Sequence, residues 1–177
     1  MHDFELPDDS HPLIRRAHEY WLNIHPPGGG LPGRSRLDPT AVPNLLPHVW
    51  LVDVQREPLR FRYRLLGTAI RRVTESGTTV VGRWIDEIDP AFAPGHPRFA
   101  AFADVAESGL PGYRKGTPVF PPGLEHLTIE RIFLPMAADG QHVDMLFCLS
   151  LFLTRNGQVL KGSISPPISS CPTARIA

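Results

Sequence analysis

Two stretches of this chain read as partners from their side-chain pattern alone: HVWLVDV at 48–54 and RFRYRLL at 60–66. Successive side chains of a strand point to opposite faces, and the short link at 55–59 can return the chain antiparallel. A hairpin centred near Glu57 sets Trp50, Val52 and Val54 opposite Leu65, Tyr63 and Phe61. Its other face sets Asp53 opposite Arg62 and Leu51 opposite Arg64. One face is apolar throughout and the other carries a charge pair, so an antiparallel sheet is the core architecture to expect.

A second hairpin lies near the end of the chain. Residues 127–136 and 143–152 are apolar runs separated by Asp139-Gly140, a strong two-residue turn signal. In that register Ile132 faces Phe147 and Leu134 faces Met145, with Glu130 on the face of Ile132. Residues 110–120, broken by Gly and Pro, form a third strand segment, which brings the sheet to five strands.

Twenty prolines and fifteen glycines keep the helices short. Ser10 and Pro12 mark a helix start, and Leu13, Ile14, Ala17, Trp21 and Ile24 recur at helical spacing until PPGGG ends the helix near His25. Short helices are expected after Asp38-Pro39, from Gly67 to about Gly77, and around DEIDP. Pro97 opens a longer helix with Phe99, Phe102, Ala103 and Ala106 on one face, and Gly109 stops it. Residues 1–9 read as a flexible leader, 10–153 as a single domain and 154–177 as a polar tail.

The chain has 177 residues, enough for one substantial core. Eighteen basic and eighteen acidic residues cancel, which argues against nucleic acid as a partner. Only Cys148 and Cys171 are present, so neither a disulfide framework nor a zinc site is expected. The acidic start MHDFELPDD lacks a signal core and no apolar stretch is long enough for a membrane span, so a cytoplasmic location is expected.

Three stretches carry a family resemblance: SRLDPTAVPNLLPHVWLVDV (35–54), FRYRLLGTAI (61–70) and ERIFLPMAADGQHVDMLF (130–147). With the element order, they resemble the PAS sensor fold, and the sequence is similar to a family of small bacterial proteins that are essentially a lone PAS domain. The family pattern has an Arg-x-x-Asp-Pro entry, an aromatic-Arg-Tyr-Arg strand ending in Gly-Thr, and a Glu before an apolar-Pro strand. Here these correspond to Ser35 to Pro39, with Ser35 at the leading position and Arg36 next to it, to Phe61 to Thr68, and to Glu130 to Pro135. Gly82 fits the Gly that typically follows the second-strand helices. The resemblance implies an α+β fold, with a PAS-like five-stranded antiparallel sheet, helices packed on one face and an N-terminal amphipathic helix.

Catalytic signatures are missing from the sequence. There is no phosphate-binding loop, and GLPGYRKGT reads better as a twisted edge strand. No G-x-S-x-G elbow occurs. The eight histidines include no H-x-x-x-H pair on a helix, and His11, His18 and His25 are too far apart to share one ion. His96 is the haem-ligand candidate by position in a PAS sensor, set against a capping role beside Pro97. Flavin photochemistry in PAS-like light sensors needs a helix cysteine, whereas Cys148 lies in a strand and reads as a structural thiol. The sequence therefore requires no cofactor. Asp86, Glu87 and Asp89 suit a helix start. Arg62 and Arg64 either pair with Asp53 or contact an anion or partner. Glu130 is either the polar anchor of a pocket or one half of an ion pair.

The resulting expectation is a small-molecule-sensing or signal-regulatory module without its own output domain, acting through a separate signalling protein. Its pocket would lie between the sheet and the long helix, lined by Trp50, Tyr63, Leu65, Trp84, Phe99, Phe102, Glu130, Ile132 and Phe147. An alternative is a ligand-free interaction module whose first helix, through Leu13, Ile14, Trp21 and Ile24, packs on the outer sheet face or joins a homodimer. A small α+β enzyme would need a histidine and a carboxylate within reach of each other in the pocket, and no spacing points to one.

Overall fold

The computed structural model describes residues 4–74, 79–118, 124 and 126–160. The first helix, α1 (Pro12–Asn23), is followed by short 3-10 turns and the hairpin β1 (Val49–Arg56) and β2 (Leu59–Leu66). Helices α2 (Thr68–Thr74), α3 (Ile85–Ile88) and α4 (Pro97–Ser108) come next, then β3 (Gly112–Gly116), β4 (Thr128–Met136) and β5 (Met145–Leu153). The strands form one antiparallel sheet in the order β2-β1-β5-β4-β3. This is the five-stranded PAS-like arrangement expected from the sequence, with the GLPGYRKGT segment supplying the edge strand β3.

Alternation along the strands divides the core into two layers. Trp50, Val52, Phe61, Tyr63, Phe133, Leu146 and Cys148 point to one face, where α4 adds Phe102, Val105 and Ala106. Leu51, Ile132, Leu134, Phe147 and Leu149 point to the other, which α1 covers with Ile14, Ala17 and Trp21. The Trp21 indole N–H donates to the Pro135 carbonyl at 2.9 Å. Leu13 and Ile24 are half-buried at the edges of the same contact. The candidate interaction helix is therefore spent on its own sheet, and of its large apolar side chains Leu22 stands exposed.

Local chemistry sets the helix ends. The α1 N-cap is His11, one residue later than the expected Ser10, and its ring accepts from the Leu13 N–H at 3.1 Å. At the end of α4, Gly109 takes the left-handed conformation at φ 66°, which glycine reaches without the Cβ clash other residues suffer.

Three expectations need correction. First, β1 and β2 keep the expected Val52–Tyr63, Asp53–Arg62 and Val54–Phe61 pairs, but a bulge at Leu51/Val52 slips the rest. Trp50 lies opposite Leu66 and Leu51 opposite Leu65, so Leu66 is buried and Leu65 is 43% exposed. Second, the β4–β5 register is shifted by two positions, pairing Ile132 with Leu149, Leu134 with Phe147 and Met136 with Met145. The cause is a wider loop, in which Asp139 accepts from the Gln141 and His142 N–H groups and Asp144 accepts from Ala138. A two-residue shift keeps every side chain on its face.

Third, the leader is packed from residue 4 onward. The Phe4 ring meets His18 edge-on at 5.3 Å and Asp9 pairs with Lys115 at 2.7 Å. At the other end, Leu160 donates its N–H to the Phe152 carbonyl and packs against the core. The rest of the expected tail, with Cys171, lies outside the described residues.

The Gly-Thr at the end of β2 has a steric reason. A Cβ on Gly67 would sit 2.3 Å from the Leu46 carbonyl oxygen and 2.5 Å from that of Pro47, and the Gly67 N–H donates to Val49 at 2.7 Å. Gly67→Ala must push apart two stretches of backbone. It is expected to lower stability by about 1–3 kcal/mol or more, read as a lower urea midpoint with an unchanged slope. A wild-type midpoint would contradict this close approach.

Candidate functional site

Strand β4 presents Ile129, Arg131 and Phe133 to the α4 face, and Glu130, Ile132 and Leu134 to the α1 face. Arg131 is thus a cation in the middle of an otherwise apolar row. Its neighbours in register are Arg114 on β3 and Ser150 on β5. Above it lies a cavity of about 230 Å³, roofed by Arg98, Ala101 and Phe102 of α4 and floored by Ile129, Arg131 and Phe133. A smaller space of about 40 Å³ continues toward Trp50, Tyr63 and Ser150, bounded again by Arg98, Phe102 and Arg131.

The electrostatics of this cavity are one-sided. Arg131 is half-buried, its Nε is enclosed without a hydrogen-bond partner, and it forms no ion pair with a carboxylate among the described residues. Burial first, and then the nearby Arg98 charge, push its pKa down to about 10. Arg131 therefore remains charged at neutral pH. Arg98 forms an ion pair with Asp89, which also accepts from the Ala91 N–H. Burial raises the Tyr63 phenol above its ordinary value, and its hydroxyl keeps its proton. The Trp50 indole N–H donates to Ser150 Oγ at 2.9 Å, which holds that ring in place.

The expected pocket residues do not converge on one site. Trp50, Tyr63 and Phe102 meet at the cavity. Phe99 is half-buried over a separate hollow beside Phe61 and Phe92. Trp84 lies outside the cavity with the guanidinium of Arg60 4.3 Å from its ring centre and that of Arg62 at 5.2 Å. Leu65 is on the surface because of the bulge.

Glu130, Ile132 and Phe147 face α1 on the opposite side of the sheet. There the buried Glu130 carboxylate accepts the His11 N–H at 2.7 Å, with Lys115 Nζ at 3.9 Å. Burial and the neighbouring Glu130 raise the Tyr113 phenol beside it. Glu130 thus anchors the start of α1 instead of lining a pocket.

Other candidates have structural partners. The His96 ring accepts from the Arg98 N–H at 3.2 Å and caps α4. Arg62 and Arg64 both pair with Asp53, at 3.0 and 2.9 Å. Asp86 and Glu87 pair with Arg60. Cys148 is fully buried, and burial raises its thiol well above the ordinary value. Two residues outside the expected set, Arg98 and Arg131, carry the charge of the cavity. The sequence does hold a signal for Arg131: if Glu130 shares a face with Ile132, then Arg131 shares the other face with Phe133.

Among the described residues no helix is long and apolar enough to cross a membrane. No curated protein matches the chain. The solved structure of an RNA-binding light-oxygen-voltage receptor is similar at 21% identity, over 71% of this chain, with a TM-score of 0.42. The chain spans 36% of that receptor's length. Residues 9–83, which carry α1, the β1–β2 hairpin and α2, match the family model of the PAS domain. With the five-stranded antiparallel sheet and its helices, the chain has a PAS-like fold whose first part, residues 9–83, is similar to the PAS domain.

Proposed function

We propose that this PAS module is a sensor that holds a small molecule between α4 and the β3–β4–β5 part of the sheet and passes the signal to a separate protein. The observation that carries this reading is the cavity of about 230 Å³ whose floor contains the half-buried Arg131, its Nε enclosed without a hydrogen-bond partner. A mainly apolar hollow with a few convergent polar groups is the usual form of a ligand site. Binding, not catalysis, is the proposed role. Among the described residues that line the cavity there is no histidine and no carboxylate to serve as a general base. Filling the cavity would press on α4 and on the edge strand β3, both of which reach the protein surface and could relay the change.

Native mass spectrometry of the purified chain, set against its denatured mass, tests this. A reproducible extra mass that disappears on denaturation is expected. A haem or flavin mass, or an adduct that persists when Phe102→Trp fills the cavity, would refute this cavity as the sensory site.

A further inference from the structure

We propose, on the basis of the sensor reading above, that the ligand is a small organic anion whose acidic group sits on Arg131. Three arginines, Arg98, Arg114 and Arg131, line the cavity together; Arg98 pairs with Asp89 and Arg114 with Asp104 at 3.7 Å, which leaves Arg131 as the one of the three without an acidic partner among the described residues. Arg114 lies directly opposite Arg131 in the β3–β4 ladder. Like charges directly opposite one another in a sheet repel, and an enclosed polar atom such as Arg131 Nε is ordinarily hydrogen-bonded. An anion in the cavity would relieve both problems at once.

The shape of the site fits the same answer. A guanidinium presents a rigid fork of donors that matches a carboxylate or a phosphate. The first turn of α4 borders the cavity through Pro97 and Arg98, and a helix N-terminus favours negative charge. Ala101, Phe102, Ile129 and Phe133 supply an apolar wall for the body of the ligand. A cavity of about 150 Å³ accepts benzene, so the space of about 230 Å³ admits a ring or short chain bearing one acidic group.

Calorimetric titration of the full chain with benzoate, phenyl phosphate and the neutral benzamide tests the inference. The chain is first stripped of bound molecules by unfolding and refolding. At least one of the two anions is expected to bind ten-fold or more tightly than benzamide. Preference for benzoate assigns a carboxylate ligand, and preference for phenyl phosphate assigns a phosphate ester. Arg131→Met should lose that binding ten-fold or more and Arg131→Lys should retain part of it, with both still folded by circular dichroism. Arg16→Gln, on the exposed side of α1, should bind as the wild type does. Benzamide binding equal to that of both anions, unaffected by Arg131→Met, would overturn the anion inference and leave the cavity reading intact. Binding of none of the three probes, with no adduct in the native mass spectrum, would overturn both.

Discussion

Arg131→Met is expected to melt at a higher temperature than the wild-type chain once bound molecules have been stripped from both. The side chain is half-buried, with its Nε enclosed and no acidic partner among the described residues, and burial holds its pKa at about 10, well below the ordinary arginine value. Each ten-fold loss of proton affinity on folding costs about 1.4 kcal/mol, so the charged side chain opposes folding by roughly 1–3 kcal/mol after local relaxation. For a chain of this size that is about 2–4 °C per kcal/mol.

The pH dependence has the same origin. The unfolded chain holds the Arg131 proton more tightly than the folded chain does, so the penalty is complete below the folded value of about 10. It fades as pH rises from there toward the ordinary arginine value, and the wild-type and Met stabilities should converge over that range. Thermal midpoints at neutral and alkaline pH check both statements. A Met variant less stable than the wild type at neutral pH would mean that Arg131 has an acidic partner in the resting protein. A residue that weakens the fold is expected where binding, not stability, has set its identity.

Trp21→Ala should be the most damaging substitution on α1. The ring is 4% exposed, stacks near His18 and meets His25 edge-on at 4.3 Å. Its removal leaves a cavity and an unpaired Pro135 carbonyl, a cost of about 3–5 kcal/mol. Deleting residues 1–25 goes further, because it uncovers the apolar face of β4 and β5 around Ile132, Leu134, Phe147 and Leu149. The truncated chain is expected to aggregate or to lose cooperative unfolding in urea. A truncated chain that stays soluble, monomeric and cooperative would show that α1 is dispensable. A stable dimer of the truncated chain would show that a second copy can cover the same face.

Much of the sheet is legible in the sequence because β periodicity is local. Asp53 with Arg62 and Val52 with Tyr63 can be paired from spacing alone, and both pairs are present. The bulge is not legible because Leu65 and Leu66 are both apolar, so the sequence around Arg64 reads equally well in either register. At the other hairpin, Asp139-Gly140 marks the turn correctly. The side chains of Asp139 and Asp144 widen the loop beyond two residues, and the register shifts without changing faces.

The site is harder to read. Spacing puts Glu130 and Arg131 on opposite faces, but it does not say which face lies under α4. The expected pocket therefore includes Ile132 and Phe147, whose face α1 covers.

The sequence by itself determined the strands, the two long helices and the division of each strand into two faces, since these depend on residues a few positions apart. Only the tertiary structure decided which helix covers which face and which charges find partners. The Glu130 carboxylate meets the His11 N–H across 119 positions of chain, while Arg131, its immediate neighbour, points into a cavity and meets no acid among the described residues. Two adjacent charged residues thus have opposite fates, because pairing depends on what distant segments bring to each face of the sheet.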